Sequence, residues 1–589
     1  MLGIRHHHTL VPCSSSTVPS GHDAVAEGCC ALHDTPGHVR GSLGSKSSSH
    51  STVSTLPGRA TKQHARACSS KQPVVRFIHR PERDYKPNNP KWLVEAASWR
   101  PEDIPQQLLV ECPALTAFKE QAAALFTLEL GTAECRQQLF ALDEQFPHYL
   151  NHGSYGATFR LALEVQNWYR QLMEQEPVRF METVAMAGLV RAVADVAGCV
   201  GASWQDVVPV VNATAAVNAV VASLQLRKGD LLLMSNATYP AVRSALARAA
   251  AAAGAGLLEL TFELEDLLDE ARILACFRAA LRAGGRRLKL AVIDHVVSFP
   301  PVVMPVQQIC SMCRGAGVPV LVDGALAVGC LPDLAIPSLG CQYYTSNLHK
   351  WMCTPKGAAL LWVQPGRQDA VLPLVCSHGY GLGFRGEFLW QGTADITPWL
   401  AVPASLAVMQ ALHPQRVMDY NHSLVRRAVQ LLQQAWGTHM VLGIKQNGTT
   451  AGMAAVQMPW PLALPRSSSC SETSTEGETA AAGGSIPGNA PAAAAAEPTT
   501  AVAAAVAVHG VAGDADGAAA WAHPSAAAAA ALNKYLREVQ CIEVPVTCVA
   551  GQLFVRISAQ IYNSIADYEA LAGAVLQLAA AAAATEQQQ

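Results

Sequence analysis

Two periodicities of hydrophobic residues divide the middle of the chain. Short apolar runs, which are typical of buried strands, alternate with longer segments in which apolar residues recur at helical spacing. The apolar runs occupy residues 207–211, 230–235, 287–295, 317–323 and 357–363. Strands that alternate with helical segments predict βαβ units and a mostly parallel sheet, in which ligands bind at the carboxyl ends of the strands. The predicted fold class is therefore α/β.

Helical periodicity also flanks this region, and further strand patterns lie near the end of the chain. Helices are predicted over 114–144, 159–197, 398–433 and 530–539, and strands over 453–458, 542–546 and 553–563. This division predicts a large domain over residues 160–400. A smaller α+β domain is expected to combine residues 96–159 with residues 401–589.

Two segments have compositions that do not favour a packed core. Residues 463–528 consist mainly of Ala, Ser, Gly, Pro and Thr. They cannot bury enough apolar surface to offset the entropy that is lost on ordering, so we predict a disordered insertion there. Residues 1–95 are predicted to form a disordered leader.

The composition of the leader bears on the cellular compartment. Residues 1–75 are rich in Ser, Thr, His, Gly and Arg, and Asp23, Glu27 and Asp34 are their only carboxylates. A basic, acid-poor and Ser-rich start is typical of an organelle transit peptide, which predicts a plastid or a mitochondrion. The alternative is a tail without a targeting function, in a cytoplasmic protein.

Charge, hydropathy and cysteine usage narrow the functional classes. The net charge of −3 does not favour nucleic acid or an anionic membrane surface as a partner. The chain has no run of about 18 strongly apolar residues, so no membrane span is predicted, and residues 571–584 are expected to extend a C-terminal helix. The 17 cysteines are scattered without a disulfide rhythm, which indicates reduced thiols. Core packing is the preferred interpretation of Cys310 and Cys313, and no metal site is predicted.

An acid and a lysine follow two successive predicted strands. The run over 317–323 ends in Asp323-Gly324, and Lys350 follows in the next element, between His349 and Trp351. Taken alone, Asp-Gly is typical of a turn and a lysine is typical of a solvated surface. Together they suit pyridoxal phosphate chemistry, since a lysine amine can attach the cofactor and an acid can pair with its protonated ring nitrogen.

The same residues carry a family resemblance. Asp323-Gly324-Ala325, followed by Ser346-Asn347-Leu348-His349-Lys350-Trp351, resembles the class V aminotransferase-fold enzymes. The branch it resembles is labelled isopenicillin N epimerase-like, and it also holds cysteine desulfhydrases and the carbon–sulfur lyase of ergothioneine synthesis. The resemblance extends from about Leu150 to Leu576 and implies fold type I of the pyridoxal phosphate enzymes.

The resemblance also implies a set of cofactor contacts. Lys350 would carry the cofactor, Asp323 would face its ring nitrogen, and the ring of Tyr239 would stack on its face. The positions implied to lie near the phosphate or the ring hydroxyl are Ala213, Thr214, Ser298, Asn347 and His349. Asn347 stands where related desulfurases carry a Ser that touches the phosphate.

Substrate contacts and a homodimer follow from the resemblance as well. On a strand, Arg556 could either pair structurally or present its fork to a carboxylate, and the resemblance favours a clamp for the α-carboxylate of an amino acid. The loop that contains Asn151 and His152 would line the substrate entrance. Thr393 would reach across a homodimer to the phosphate of the neighbouring subunit, so that both chains build each active site.

One departure from the family pattern concerns the third position after Asp323. Most members of the family carry His or Gln there, close to the cofactor, whereas this chain has Leu326. An apolar side chain cannot donate to the ring hydroxyl. This leaves open a protein of another class, which keeps the fold as a non-catalytic binding module or scaffold.

The expected reaction is removal of the α-proton followed by β-elimination, that is, a carbon–sulfur lyase that acts on cysteine or a cysteine conjugate. An epimerase and a persulfide-forming desulfurase are the alternatives within the family. A desulfurase needs a mobile thiol that faces the substrate sulfur. Cys541 is predicted at a strand start and Cys548 in a short turn, and neither is on the longer loop that this role requires.

Overall fold

The strands of the described residues form three separate sheets, and the largest sheet positions the candidate site. The computed structural model describes residues 87–445, 448–464 and 523–586. The strands are β1 (His148–Tyr149), β2 (Val207–Val210), β3 (Leu231–Ser235), β4 (Gly256–Leu260), β5 (Leu288–Asp294), β6 (Val320–Asp323), β7 (Tyr343–Asn347), β8 (Ala359–Val363), β9 (Val441–Ile444), β10 (Thr450–Gln457), β11 (Ile542–Glu543), β12 (Val546–Val549) and β13 (Gln552–Ser558).

Helices surround these sheets, and several of them begin at a proline. They are α1 (Lys91–Ser98), α2 (Pro113–Gln121), α3 (Ala133–Leu139), α4 (His152–Tyr155), α5 (Arg160–Gln175), α6 (Pro177–Arg179), α7 (Ala185–Cys199), α8 (Ala213–Ala222), α9 (Pro240–Ala253), α10 (Glu270–Gly284), α11 (Val306–Gly315), α12 (Gly383–Leu389), α13 (Thr397–Leu400), α14 (Val402–Leu412), α15 (Pro414–Trp436), α16 (Ala526–Glu538) and α17 (Ile565–Glu586).

The largest sheet has seven strands in the order β2-β8-β7-β6-β5-β3-β4. The five strands from β7 to β4 are parallel to their neighbours, while β8 is antiparallel to both β7 and β2. Parallel pairing needs a crossover element, whereas β7 is joined to β8 by the turn 348–358, which contains no helix, so β8 must reverse direction. The predicted mostly parallel α/β sheet is confirmed.

Both faces of this sheet are covered by helices. On β5, Leu290 and Val292 join an apolar cluster that includes residues of α8 and α9. Ala291 and Ile293 point to the opposite face, into a cluster that includes α5, α7 and α14. This alternation follows from the two-residue period of a strand, and it explains why the strands are almost continuously apolar in sequence.

The smaller antiparallel sheet, in the order β12-β13-β10-β9, packs on a second apolar core that is built with α15, α16 and α17.

Within the described part of the chain, α17 is the helix with a stretch long and apolar enough to cross a membrane, Ile565–Ala584. Tyr568, Leu571 and Val575 on it are 0% exposed, as in the core helix of a globular protein. The expected C-terminal helix over 571–584 is confirmed. The described residues belong to one compact unit, and the expected division into two domains at residue 400 stays a prediction.

Two predicted helices are divided in the structure. The pattern over 159–197 is interrupted at Glu176 (φ −140°, ψ 66°), because the following Pro177 excludes the helical conformation from the residue before it. The pattern over 398–433 forms α13, α14 and α15, and His413 lies between the last two at a φ of +59°.

Both predicted low-complexity segments extend into residues that the structure shows to be ordered. Residues 1–86 of the expected leader lie outside the described residues, but α1 begins at Lys91 and its Leu93 is 0% exposed. Residues 465–522 of the expected insertion also lie outside them. Ala463 is buried, however, and α16 begins at Ala526, where the Ser525 hydroxyl accepts from Ala528 N. Alanine is common both in a buried helix and in low-complexity sequence, so composition could not locate this boundary.

Because ordered residues begin inside the predicted insertion, two replacements of different length by the same Gly/Ser linker should affect the melting temperature differently. Replacing 465–522 should leave the melting temperature nearly unchanged. Replacing 463–528 also removes the Ser525 cap, which contributes about 1 kcal/mol, and the buried Ala463 and Ala528, so it should lower the melting temperature by several degrees. Thermal unfolding checks both variants. Equal losses in the two would show that the shorter segment also stabilises the fold.

Candidate active site

Polar residues gather where the parallel strands of the large sheet end. Asp294 ends β5, Asp323 ends β6 and Asn347 ends β7. Asp294 and Asp323 are register partners, and Asp323 is in turn the partner of Thr345. All of these side chains are at most 9% exposed. Carboxyl ends of parallel strands share one edge, so the sheet brings these groups together.

Lys350 enters this edge from the turn that reverses the chain between β7 and β8. Burial lowers the pKa of its amine to about 8, while the nearby Asp323 charge opposes this and Arg556 adds to it. A substantial fraction of the amine is therefore neutral near physiological pH. A neutral, buried lysine amine is the form that acts as a nucleophile or a base.

Asp323 and Asp294 share one buried environment, and only one of them is suited to carry a charge. Burial raises the pKa of Asp323, whereas the Ala325 N–H, which donates to Oδ1 at 3.0 Å, and the Lys350 charge lower it. Burial and the Asp323 charge raise the pKa of Asp294 well above its usual value. Two adjacent buried carboxyls do not both ionise, so Asp294 holds the proton and Asp323 carries the charge.

His295 and Tyr344, which were not predicted as site residues, hold the backbone of Asp323 in place. His295 N donates to the Asp323 carbonyl at 2.8 Å, and its ring Nδ1 lies 2.9 Å from the hydroxyl of Tyr344. Gly324 leaves room for that hydroxyl, since a Cβ there would overlap it. Burial lowers the pKa of His295 to about 4, which keeps its ring neutral. Adjacency to Asp294 was the only sequence signal for His295.

The N-terminus of α8 forms an anion cradle next to Asn347. The Asn212 side chain accepts from Ala215 N at 2.8 Å, and the Asn347 side chain accepts from Ala213 N at 2.9 Å. The Thr214 N–H, between them, has no intrahelical acceptor, because the first N–H groups of any helix lack one. Helix N-termini attract anions, so Thr214 remains available to a phosphate.

His349 presents an unpaired ring nitrogen. Its Nδ1 is buried and has no hydrogen-bond partner among the described residues. Burial, reinforced by Lys350 and Lys356, lowers the pKa of His349 to about 4. A buried nitrogen without a partner costs free energy that a bound ligand would recover.

Arg556 is a buried cation with only neutral partners. Its Nη1 donates to the carbonyl and hydroxyl of Ser298 at 2.8 and 3.2 Å, and its Nη2 donates to Asn151 Oδ1 at 2.9 Å and Ser154 Oγ at 2.7 Å. Nε has no partner among the described residues, and burial lowers the pKa to about 10. Glu543 bonds to Asn151, but Arg537 already pairs with that carboxylate at 2.7 Å. A buried guanidinium without a counter-ion favours an anionic ligand over the structural alternative.

The structure gives weaker support for a ligand contact by the remaining predicted site residues. His152 is 0% exposed, and both of its ring nitrogens contact protein groups, so it lies beneath the lysine turn and not at an entrance. Tyr239 is 44% exposed and precedes α9, and its N–H bonds to Asp294. Ser298 bonds to Arg556, Thr393 is exposed, and Leu326 is buried.

These groups fit pyridoxal 5′-phosphate. Asp323 offers a buried carboxylate for the ring nitrogen, Lys350 offers a buried amine of lowered pKa, Thr214 offers an N–H for a phosphate, and His349 offers an unpaired ring nitrogen. The orphaned Nδ1 of His349 is the observation that a purely structural interpretation does not explain.

Gly156 allows the loop that bears Asn151 to lie directly on the lysine turn. It adopts φ +71° and ψ 164°, and a Cβ there would overlap the carbonyl oxygen of His349. Gly156→Ala should therefore displace the turn and greatly weaken pyridoxal phosphate binding, measured by absorbance titration. Gly229→Ala is the matched control, since it also has a positive φ (+87°) but has no neighbouring atom within 4 Å. Equal losses in the two variants would mean that backbone strain alone is responsible.

The lowered pKa of Lys350 predicts the pH dependence of cofactor attachment. The neutral amine reacts, so the attachment rate of the cofactor-free protein should rise with pH and level off above about 8. Stopped-flow absorbance measures this rate. A rate that keeps rising to about pH 10.5 would indicate an ordinary, solvated lysine.

Comparison with known sequences identifies the family. The model of the aminotransferase class-V family matches residues 164–459. A putative L-cysteine desulfhydrase 1 from Oryza sativa subsp. japonica is 35% identical over 308 residues, which is 49% of this chain and 63% of that protein. That match spans less than two thirds of the relative's length. A probable chloroplastic L-cysteine desulfhydrase from Arabidopsis thaliana is 29% identical over 322 residues, 51% of this chain and 67% of that protein. An isopenicillin N epimerase from Streptomyces clavuligerus is 33% identical over 328 residues, 53% of this chain and 80% of that protein.

Solved structures show the same fold at low sequence identity. The apo cysteine desulfurase from Thermococcus onnurineus aligns with a TM-score of 0.55 and 16% identity over 77% of this chain and 98% of its own. A mutant of C-DES with glycine covalently linked to the PLP cofactor aligns with a TM-score of 0.53 and 17% identity over 74% of this chain and 99% of its own. The expected resemblance and fold type are confirmed, and this chain belongs to the aminotransferase class-V family.

Proposed function

We propose that this protein is a pyridoxal phosphate-dependent carbon–sulfur lyase that acts on L-cysteine or a cysteine conjugate. The observation that carries the proposal is the meeting of three groups in one buried site. Lys350 supplies an amine with a pKa of about 8, Asp323 supplies a buried carboxylate, and Arg556 supplies a guanidinium that pairs with no acid among the described residues. Two of the relatives described above are named L-cysteine desulfhydrases, which supports the reaction class.

The residues of the site divide the work of binding between them. Asp323 would hold the ring nitrogen, Thr214 and His349 the phosphate, and Lys350 the reactive carbon of the cofactor. When bound, pyridoxal phosphate supplies an electron sink that acidifies the α-carbon of an amino acid. Leu326 offers no polar group to the cofactor, so Asp323, Thr214 and His349 would have to bind it without a hydrogen bond from that position.

Arg556 and Lys350 would then handle the substrate. The Arg556 guanidinium would bind the α-carboxylate, since the partners it has among the described residues are neutral. This bond orients the amino acid, and the Lys350 Nζ, once free, takes the α-proton. The bond between the β-carbon and sulfur breaks, sulfur leaves as sulfide or a thiolate, and the released aminoacrylate hydrolyses to pyruvate and ammonia.

The placement of Cys541 and Cys548 favours elimination over persulfide transfer by either of them. Cys548 lies within β12, in an antiparallel pair with Leu553, and Cys541 is half-buried immediately before β11. A thiol that accepts sulfur from the substrate must move towards it, and a residue held in a sheet does not. Epimerisation is a second candidate, since the Streptomyces clavuligerus relative carries that name and shares the step of α-proton removal.

Assembly and compartment belong to the same proposal. Leu372, Leu374 and Val375 are each about half exposed, and exposed apolar clusters mark interaction surfaces. We infer a homodimer in which Thr393 contacts the cofactor phosphate of the other subunit. The composition of residues 1–75 and the chloroplastic relative support a plastid location.

Incubation with L-cysteine tests the reaction. Sulfide, pyruvate and ammonia should form in equal amounts, and Lys350→Ala should abolish both turnover and the visible absorbance of the loaded protein. Borohydride reduction followed by peptide mapping should label Lys350 and not the neighbouring Lys356. Recovery of only racemised amino acid would support epimerisation, and the lack of any cofactor absorbance would support a non-catalytic protein.

Cysteine variants test the fate of the sulfur. Cys376→Ser, Cys541→Ser and Cys548→Ser, singly and combined, should retain most of the turnover, because elimination needs no protein thiol. Quantifying alanine against pyruvate is the decisive measurement. If alanine accumulates and one of these variants stops it while the cofactor stays bound, the protein is a desulfurase.

A further inference from the structure

The carbonyl of Lys350 is held by a side chain from a distant loop. It accepts from Cys353 N at 3.1 Å within its own turn, and it lies 3.0 Å from Nε2 of His152. The turn contains no regular secondary structure, and these bonds and those made by the Cys353 carbonyl are among the hydrogen bonds that hold it. That carbonyl accepts from Phe159 N at 3.0 Å and from the Ser405 hydroxyl at 3.1 Å.

The partners of His152 determine its tautomer. A carbonyl oxygen can only accept, so Nε2 carries the hydrogen that is donated to Lys350. Nδ1 is then an acceptor, and it lies 2.9 Å from the hydroxyl of Tyr562, which donates. The amide nitrogen of Gln560 also lies 3.2 Å from Nε2, but it has an acceptor of its own in Cys353 Sγ at 3.8 Å.

The ring of His152 stays neutral in this position. It is 0% exposed, and burial lowers its pKa to about 3 against the raising effect of the Lys350 carbonyl. The cations that face it, Lys350 and Lys356, lower the pKa further, and the Tyr562 hydroxyl and Cys353 thiol beside it have raised pKa values. One donor and one acceptor are therefore present throughout the physiological pH range.

The same short loop also holds Arg556. Asn151 and Ser154, which flank His152, bind the Arg556 guanidinium, and Gly153 N donates to the Ser558 hydroxyl at 3.2 Å. Thus α4 and its N-cap contact the strand that carries the carboxylate-binding arginine and the turn that carries the lysine. A displacement of this loop would change the distance between the two functional groups.

We propose that His152 is a positioning residue that fixes the Lys350 turn through its carbonyl, and that the segment Asn151–Ser154 sets the spacing between Lys350 and Arg556. The inference rests on the proposed role of Lys350. It assigns His152 no contact with the substrate or the cofactor. Its effect is to hold the lysine amine in the buried position where its pKa is lowered.

The test measures the reactivity of the Lys350 amine in the full chain after the cofactor is removed, by pulse acetylation at several pH values and peptide mass spectrometry. His152→Leu should raise the pKa of the Lys350 amine by about one unit, because the released amine becomes solvated, so acetylation at pH 8 should slow about fivefold as the neutral fraction falls. His152→Gln keeps a donor for the carbonyl and should restore much of the reactivity. In the loaded enzyme, His152→Leu should lower kcat about tenfold and change the KM for L-cysteine less than twofold.

His422 provides the matched control. It is also a partly buried histidine of lowered pKa, and its Nε2 lies 3.0 Å from the backbone carbonyl of Cys330. His422→Leu should leave the Lys350 acetylation profile unchanged. If His152→Leu and His422→Leu have the same effect on Lys350, the role of His152 is merely structural and the proposal is wrong.

Tyr562→Phe keeps the inference testable if His152→Leu does not fold. It removes only the hydroxyl that donates to Nδ1, so acetylation of Lys350 at pH 8 should slow by a smaller factor, about threefold. An unchanged acetylation profile would overturn the proposal. Because this measurement needs no substrate, a failure to turn over L-cysteine would contradict the proposed function and leave the positioning role intact.

Discussion

The attraction between the Asp323 carboxylate and the Lys350 amine, both taken out of water at the carboxyl edge of the large sheet, is the interaction on which the site depends. Burial favours the neutral form of each group, and each group favours the charged form of the other. The balance leaves the lysine close to half-ionised near pH 8 and the aspartate ready to face a cation. Asp294 makes this possible by holding a proton, since a second charge beside Asp323 would be strongly unfavourable.

The surrounding structure keeps these groups in place with neutral donors and acceptors. His295 and Tyr344 support the backbone of Asp323, and His152 and Tyr562 support that of Lys350. Both histidines have pKa values lowered by burial, so they bond without adding charge to the site. Neutral support preserves the electrostatic balance between the lysine and the aspartate, which an imidazolium would upset.

Several polar groups of the site are buried without partners, which reduces the stability of the protein, and a bound ligand would supply those partners. Arg556 is buried without an acid, and the Nδ1 of His349 and the Nε of Arg556 have no partners among the described residues. Unpaired polar groups of this kind destabilise a fold by about 1–3 kcal/mol each. Those of His349 and Arg556 suit a site built for anionic groups, and the phosphate and the α-carboxylate are the two anions that the proposed chemistry requires.

The sequence by itself determined the alternation of strands and helices, the parallel character of the sheet, and the placement of Asp323 and Lys350 at successive strand ends. These features are local, because they depend on periodicity and on which residue follows an apolar run. Only the tertiary structure decided that His152 lies beneath the lysine, that Asp294 is the protonated member of its pair, and that the partners of Arg556 within the described residues are all neutral. These properties depend on contacts such as that between Asn151 and Arg556, which are 405 positions apart, and on burial that long-range packing creates.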